Sequence, residues 1–431
     1  MPRRFGTEVP PHERPPVAWY APPVLLQAGE ELVQSQNFQR NLDRRESFSP
    51  VLEPIDLASH VDALGIDFVS DTGDGGTATF AVAQAALAAR LHASDETGAP
   101  VVLPEAEVLV FGGDLAYPGA SPAVYQYRFY EPWAMALDPA SAWRKAGAPA
   151  KVVAAIPQNH DWFDSASTFC RYFVAQDKGD FLGARTPQRQ TYFALRLPHR
   201  FWLLGFDWSL TGDLDRQQFE AFRALLGSRL RHRVCVGGGI VPGDDVLLLY
   251  PEPYWTRPLG DGAPEGYPKR YQRLEAAIEA RGARIRLRLA GDLHHYHRET
   301  LARDPATAAD SHLVTCGCGG AFLHPTHSVD VTGAKRIDRQ PEAGAIDAEL
   351  RHRVRVGRDV RRGAAATPST YETRRRWPDA ALSRSLAWRN LWALFTVRFS
   401  RPPWRQALAD TARDVWHSNL AFALTIGLLY G

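Results

Sequence analysis

Between about residue 56 and residue 330, short apolar runs alternate with longer amphipathic stretches. The runs at 66–69, 108–111, 152–157, 246–250, 285–290 and 312–316 are too short for helices and are bounded by turn residues, which predicts buried strands. Helical periodicity is expected over 81–92, 122–137, 215–230 and 271–281. At 191–197 and 200–206 one strand follows another directly, which implies mixed sheets. The class expected is α/β.

Four of these runs end in polar segments: Asp71-Thr72-Gly73, Gly113-Asp114-Leu115-Ala116-Tyr117, Asn159-His160-Asp161 and Gly291-Asp292-Leu293-His294. Carboxyl ends of strands are where open α/β sheets gather ligands. Taken singly, each residue is as well explained by a turn, a cap or packing. Together they supply the carboxylate, amide, phenol and imidazole donors of a metal site.

In order and spacing the four segments resemble the calcineurin-like metallophosphoesterases, and the first two are similar to those of purple acid phosphatases. The resemblance covers roughly residues 67–327. It implies a layered sandwich of two mixed β-sheets flanked by helices, and a phosphoric ester hydrolase that uses metal-activated water. It also implies two divalent metal ions: Asp71 as a ligand of the first, Asp114 bridging both, Asn159 on the second, and His294 on the first. Tyr117 would be a phenolate ligand of the first metal, in keeping with Gly73 where most relatives place a His. His160 would assist the leaving group, and Asp114 would set the metal spacing.

Two departures fall on the second metal. Pro251, in Tyr250-Pro251-Glu252-Pro253, stands where the family has a His, and Asp292 replaces another. What remains is Asp114, Asn159 and Asp292, with Glu252 as a recruit, an oxygen-only set that suits Mg²⁺, Mn²⁺ or Ca²⁺ better than zinc. The first set suits manganese or iron. The same departures leave open a metal-binding pseudoenzyme or membrane-associated scaffold. His295, His297 and Arg298 follow the last ligand and are candidates for holding substrate oxygens. Asp74 reads as a cap for the helix that follows, and His324 and His327 as loop support near the site.

Composition fits a folded enzyme: 45% of the 431 residues are hydrophobic, enough for a large core. A formal net charge of +2 gives no case for a nucleic-acid partner. Cys170, Cys235, Cys316 and Cys318 lack zinc-finger spacing and read as reduced thiols. The start, Met1-Pro2-Arg3-Arg4, lacks a signal peptide's apolar core, so a cytoplasmic location is expected.

Four parts are expected: an N-terminal strap (1–55), the catalytic domain (56–330), an Arg-rich linker or loop (331–373) and an amphipathic helical appendage (374–431). In the last, arginines interleave with Trp377, Trp388, Trp392 and Trp404 before the apolar run 420–430. That run is shorter than the ~20 residues needed to span a bilayer. It suits either a surface-lying segment at the inner face of a membrane or a helical hairpin docked on the enzyme. The substrate is expected to be phosphorylated, of unspecified class.

Overall fold

The computed structural model describes residues 9–19, 22–41, 43–58, 63–95, 97–137, 151–174, 180–227, 239–256, 269–301, 311–326, 351–354 and 369–393. The elements run α1 (Pro22–Asn41), β1 (Ile55–Asp56), β2 (Ile66–Val69), α2 (Gly76–Ala86), β3 (Arg90–Ser94), β4 (Pro100–Pro104) and β5 (Val108–Phe111). Next come α3 (Pro122–Val124), a π-helical turn (Tyr125–Tyr130), α4 (Glu131–Ala136), β6 (Val152–Ala155), α5 (Ser167–Phe173), β7 (Asp180–Phe181), β8 (Ala184–Arg185), β9 (Phe193–Leu197) and β10 (Phe201–Gly205). The chain continues with α6 (Arg216–Leu225), β11 (Asp245–Tyr250), α7 (Arg270–Ala280), β12 (Arg284–Ala290), β13 (Tyr296–Leu301), β14 (His312–Cys316), β15 (Arg351–Val354), β16 (Ser369–Trp377) and α8 (Ala380–Ala393).

Nine strands form a mixed sheet in the order β1-β9-β10-β11-β12-β14-β13-β16-β15. Five form a second, β2-β5-β6-β8-β7, parallel except for its β7–β8 edge. Strand alternation shows how they stack. Val108 and Val110 of β5 join Val152 and Ala154 of β6 and Leu195, Leu203 and Leu249 of the large sheet in one core between the sheets. Their neighbours Leu109, Phe111, Val153 and Ala155 point the other way, against Ala83, Trp133, Phe169 and Phe173 of the helices. On the far face of the large sheet, Trp202, Leu204, Val246 and Leu248 pack under Phe219 and Phe222 of α6 and Leu274 and Ile278 of α7. The result is four layers, helix, sheet, sheet, helix, in agreement with an α/β class built on two sheets.

Several elements differ from expectation. The helix expected over 81–92 is α2, which closes at Leu87 with its N–H on the Ala83 carbonyl. Residues 90–94 instead alternate between exposed and half-buried positions and pair with β4, a period-two pattern that overrides the helical reading. In the 122–137 helix a π turn precedes Pro132, which has no N–H to donate. The Tyr127 carbonyl five residues earlier is taken up by the Arg14 guanidinium. Within the expected linker, β15 and β16 form a hairpin that extends the large sheet, with β16 pairing with β13. Strap residues 22–41 include a full helix, α1. The apolar run 420–430 lies outside the described residues.

Candidate metal centre

The parallel strands β2, β5 and β6 deliver Asp71, Asp114 and Asn159 to one edge of the small sheet, and β12 delivers Asp292 and His294 from the large one. The two edges meet because glycines permit it. A Cβ on Gly291 would lie 2.0 Å from Ser70 Oγ and 2.5 Å from Asp71 Oδ2, and one on Gly317 would lie 2.3 Å from the Leu293 carbonyl. Asp292 then donates its backbone N–H to Asp71 Oδ2 at 3.0 Å, which joins the sheets.

Tyr117 Oη is the hub. It lies 3.2 Å from Asp114 Oδ2, 3.4 Å from Asp71 Oδ1 and 3.2 Å from His294 Nε2, while His294 Nε2 is 3.5 Å from Asp71 Oδ1. Donors about 2.1 Å from a common ion in octahedral geometry are spaced about 3 Å apart, so the spacings fit a metal's ligand shell. Asp71, Asp114 and Asp292 all adopt left-handed backbone conformations, with φ of 61°, 50° and 71°. Each such residue costs about 1 kcal/mol or more, strain that characteristically collects at functional sites.

Electrostatics points the same way. Asp71 and Asp114 are buried, and burial followed by repulsion from Asp161, Asp71 and Asp292 raises the Asp114 pKa well above the usual carboxylate range. Burial, with Asp114 and Asp71 alongside, likewise raises Tyr117. For His294 burial opposes the charged form, but the hydrogen bond and charge of Asp71 outweigh it and its pKa is raised. Buried carboxylates crowded together are paired or coordinate cations, and a cation among these four side chains would relieve the shifts of Asp114 and Tyr117. Among the described residues, no group of three or more His, Cys, Asp or Glu side chains is disposed to hold an ion.

His294 sends Nδ1 to the Phe322 carbonyl at 2.9 Å, leaving Nε2 for the hub, the usual way a ligating imidazole is oriented. His324 stacks on His294 with ring centres 4.5 Å apart. His160 sends Nδ1 to the Pro118 carbonyl at 2.7 Å, and burial lowers its pKa to about 4. Its backbone N–H bonds Asp114 Oδ1 at 3.0 Å, so the candidate proton donor and the candidate bridging carboxylate hold one another.

The remaining expected residues are placed less centrally. Asn159 is half-buried where β6 turns toward His160, and Asp292 lies close enough to act electrostatically on both Asp114 and His294. Glu252 accepts the Trp208 indole N–H at 3.0 Å on Oε1, which occupies one of its two oxygens. His295 is buried, its pKa lowered to about 3 by burial and neighbouring histidines. His297 contacts Thr373 Oγ1 at 3.1 Å and Glu299 Oε1 at 3.6 Å within the large sheet. Arg298, the third residue expected to hold substrate, is half-buried on β13, and His295 Nδ1 is buried with no hydrogen-bond partner among the described residues. Asp74 takes the Val17 N–H at 2.8 Å and does not cap α2, whose N-cap is Gly75. Cys170, Cys316 and Cys318 are free thiols, and His327 lies outside the described residues.

Sequence reasoning passed over Asp161 and Trp19. Asp161 accepts N–H groups from Asp114 (2.6 Å), Gln158 (2.8 Å) and Leu115 (3.1 Å), together with the Tyr125 hydroxyl. Its contiguity with Asn159 and His160 was the available signal. For Trp19 no local signal existed.

No known protein family and no curated protein matches this chain. Among solved structures, one of PhoD matches at a TM-score of 0.33 and 11% identity, over 60% of this chain and 57% of that one. The likeness is too slight to carry an argument about fold or activity.

Proposed function

We propose that this protein is a metal-dependent phosphoric ester hydrolase. The observation that carries the reading is the convergence of Asp71, Asp114 and His294 on Tyr117 Oη at 3.2–3.4 Å, with both carboxylates buried. Asp71, Tyr117, His294 and the shared Asp114 would hold one divalent cation, and Asp114, Asn159 and Asp292 a weaker second. When bound, such cations neutralise phosphoryl oxygens and supply a nucleophile from water at neutral pH. Asp161 fixes the Asp114 loop, and the His160 N–H fixes the Asp114 carboxylate. With Nδ1 held by the Pro118 carbonyl, His160 keeps Nε2 for substrate. An anionic phosphate raises the affinity of Nε2 for a proton, which then passes to the departing alkoxide.

The test is metal analysis of the purified chain with p-nitrophenyl and bis(p-nitrophenyl) phosphate turnover across Mn²⁺, Mg²⁺, Fe²⁺ and Zn²⁺. One metal is expected to survive gel filtration, and turnover to need millimolar Mn²⁺ or Mg²⁺ for the oxygen-only second set. A chain that retains no metal and turns over neither ester with any cation removes the proposal.

A metal-binding pseudoenzyme is the second reading, favoured by Pro251 and by the engagement of Glu252 with Trp208. Turnover that appears only after Pro251→His and Asp292→His are combined would decide for it. No helix among the described residues is long and apolar enough to cross a membrane. A cytoplasmic protein whose Arg- and Trp-rich tail rests on an anionic membrane surface is the placement we propose, on the composition of residues 374–431.

A further inference from the structure

The strap before α1 ends in an indole set over the candidate centre. Trp19 meets Tyr117, His160 and Phe322 edge-on, with ring centres 5.7, 5.8 and 5.8 Å away. It therefore touches both the phenol hub and the imidazole assigned to the leaving group. The segment carrying it is fastened to the loop after Asp71, to the start of α2 and to α4: the Val17 N–H bonds Asp74 Oδ1 at 2.8 Å, the Gly76 N–H bonds the Arg14 carbonyl at 2.9 Å, and Arg14 pairs with Glu131. Phe163 packs on the other side of His160 at 4.7 Å, and Phe322 remains 45% exposed. The rings of Trp19, Phe163 and Phe322 thus gather around His160 and Tyr117, next to the buried carboxylates of Asp71 and Asp114.

We propose that Trp19 is a specificity-determining residue, and that the ester this site accepts carries a flat ring on its leaving group, bound against the indole and Phe322. The inference rests on the phosphoester reading and goes beyond it to the substrate's other half. A hydrated or polyanionic leaving group would lose its water against these faces without a partner, whereas a ring gains aromatic contact.

The experiment compares binding of phenylphosphonate and methylphosphonate to the Mn²⁺-loaded full chain by calorimetry, in the unaltered protein, Trp19→Ala and Trp19→Phe. Neither probe is hydrolysed. The unaltered protein should favour the phenyl compound about two- to tenfold, the range that one aromatic contact supplies. Trp19→Ala should bind the two alike, and Trp19→Phe should keep most of the preference. Equal binding by the unaltered protein, a preference that survives in Trp19→Ala, or equal weakening of both probes in both variants would overturn the proposal; the last makes Trp19 a packing residue. In turnover, Trp19→Ala should raise KM for p-nitrophenyl phosphate and leave that for ethyl phosphate unchanged. If the unaltered protein turns over neither ester, the hydrolase reading fails while the phosphonate pair still decides the ring.

Discussion

Asp161 accepts the backbone N–H of Asp114 at 2.6 Å, a hydrogen bond between the loops that follow β6 and β5. The bond matters because Asp114 sits in a left-handed conformation that its own strand would not maintain. The Asp161 carboxylate is fully buried and takes three N–H groups and one hydroxyl, so every lone pair it offers is directed.

Replacing Asp161 with Asn turns one acceptor into an NH₂ facing those donors. Asp161→Asn is expected to lower stability by about 1–3 kcal/mol, the cost of leaving a buried polar group unsatisfied, measured by urea unfolding. It should also weaken metal retention, since the Asp114 loop loses its brace. An unchanged unfolding midpoint together with full metal content would show that the loop holds its shape unaided.

His160→Ala removes the proposed proton donor but none of the three side-chain atoms around the phenol hub. The expected loss is about 10²–10⁴ in rate, with bound metal nearly unchanged. Paired metal analysis and single-turnover assays make the comparison. A variant that sheds metal, and whose loaded fraction turns over normally, would assign His160 a structural role.

Asp67 lies on β2 among acidic neighbours, and burial, with Glu105 and Glu107 adding and Lys151 opposing, raises its pKa to about 6. A carboxyl with a raised folded pKa destabilises the fold where it must be charged. The penalty is absent below the unfolded value of about 3.9 and is fully present above about 6. Asp67→Asn should therefore raise the melting temperature at pH 8 and leave it nearly unchanged at pH 4. Equal shifts at both pH values would contradict the assignment.

For the tail, the boundary set by β16 and α8 replaces one drawn from composition. A cut after Ala393 spares the strand that pairs with β13 and removes Arg398, Arg401, Trp404, Arg405 and the run 420–430. The full chain is expected to sediment with anionic vesicles, and salt should weaken this only in part, because basic residues contribute about 1 kcal/mol each and are screened whereas buried Trp and Leu are not. Truncation should weaken binding strongly, since it removes the apolar run and Trp404, and leave turnover intact. If the truncated chain instead melts lower or precipitates while the full chain ignores vesicles, the tail packs on the enzyme.

β5 and β6 were legible in the sequence because burial on both faces writes itself into four consecutive apolar residues, β2 and β12 carry charged residues among their apolar ones, and the polar residues after all four were legible because chain direction alone puts them at the carboxyl ends. That logic marked the four segments, and the resemblance to the calcineurin-like metallophosphoesterases picked out Asp71, Asp114, Asn159 and His294 within them. Local pattern also misled: the alanine-rich stretch read as helix to residue 92 breaks at Leu87, because pairing with β4 overrides a high local helical propensity. Distance along the chain decided what stayed hidden. Tyr117 and His294 are 177 residues apart, and although the family resemblance put both on one metal, the 3.2 Å contact between them exists only because two sheets press together at glycines. Trp19 reaches His160 from a strap whose sequence shows only proline, charge and one indole, and β16 takes its place in the large sheet through hydrogen bonds to β13. Such contacts depend on which surfaces remain uncovered once the layers have stacked, a property of the assembled core that no short stretch of residues contains.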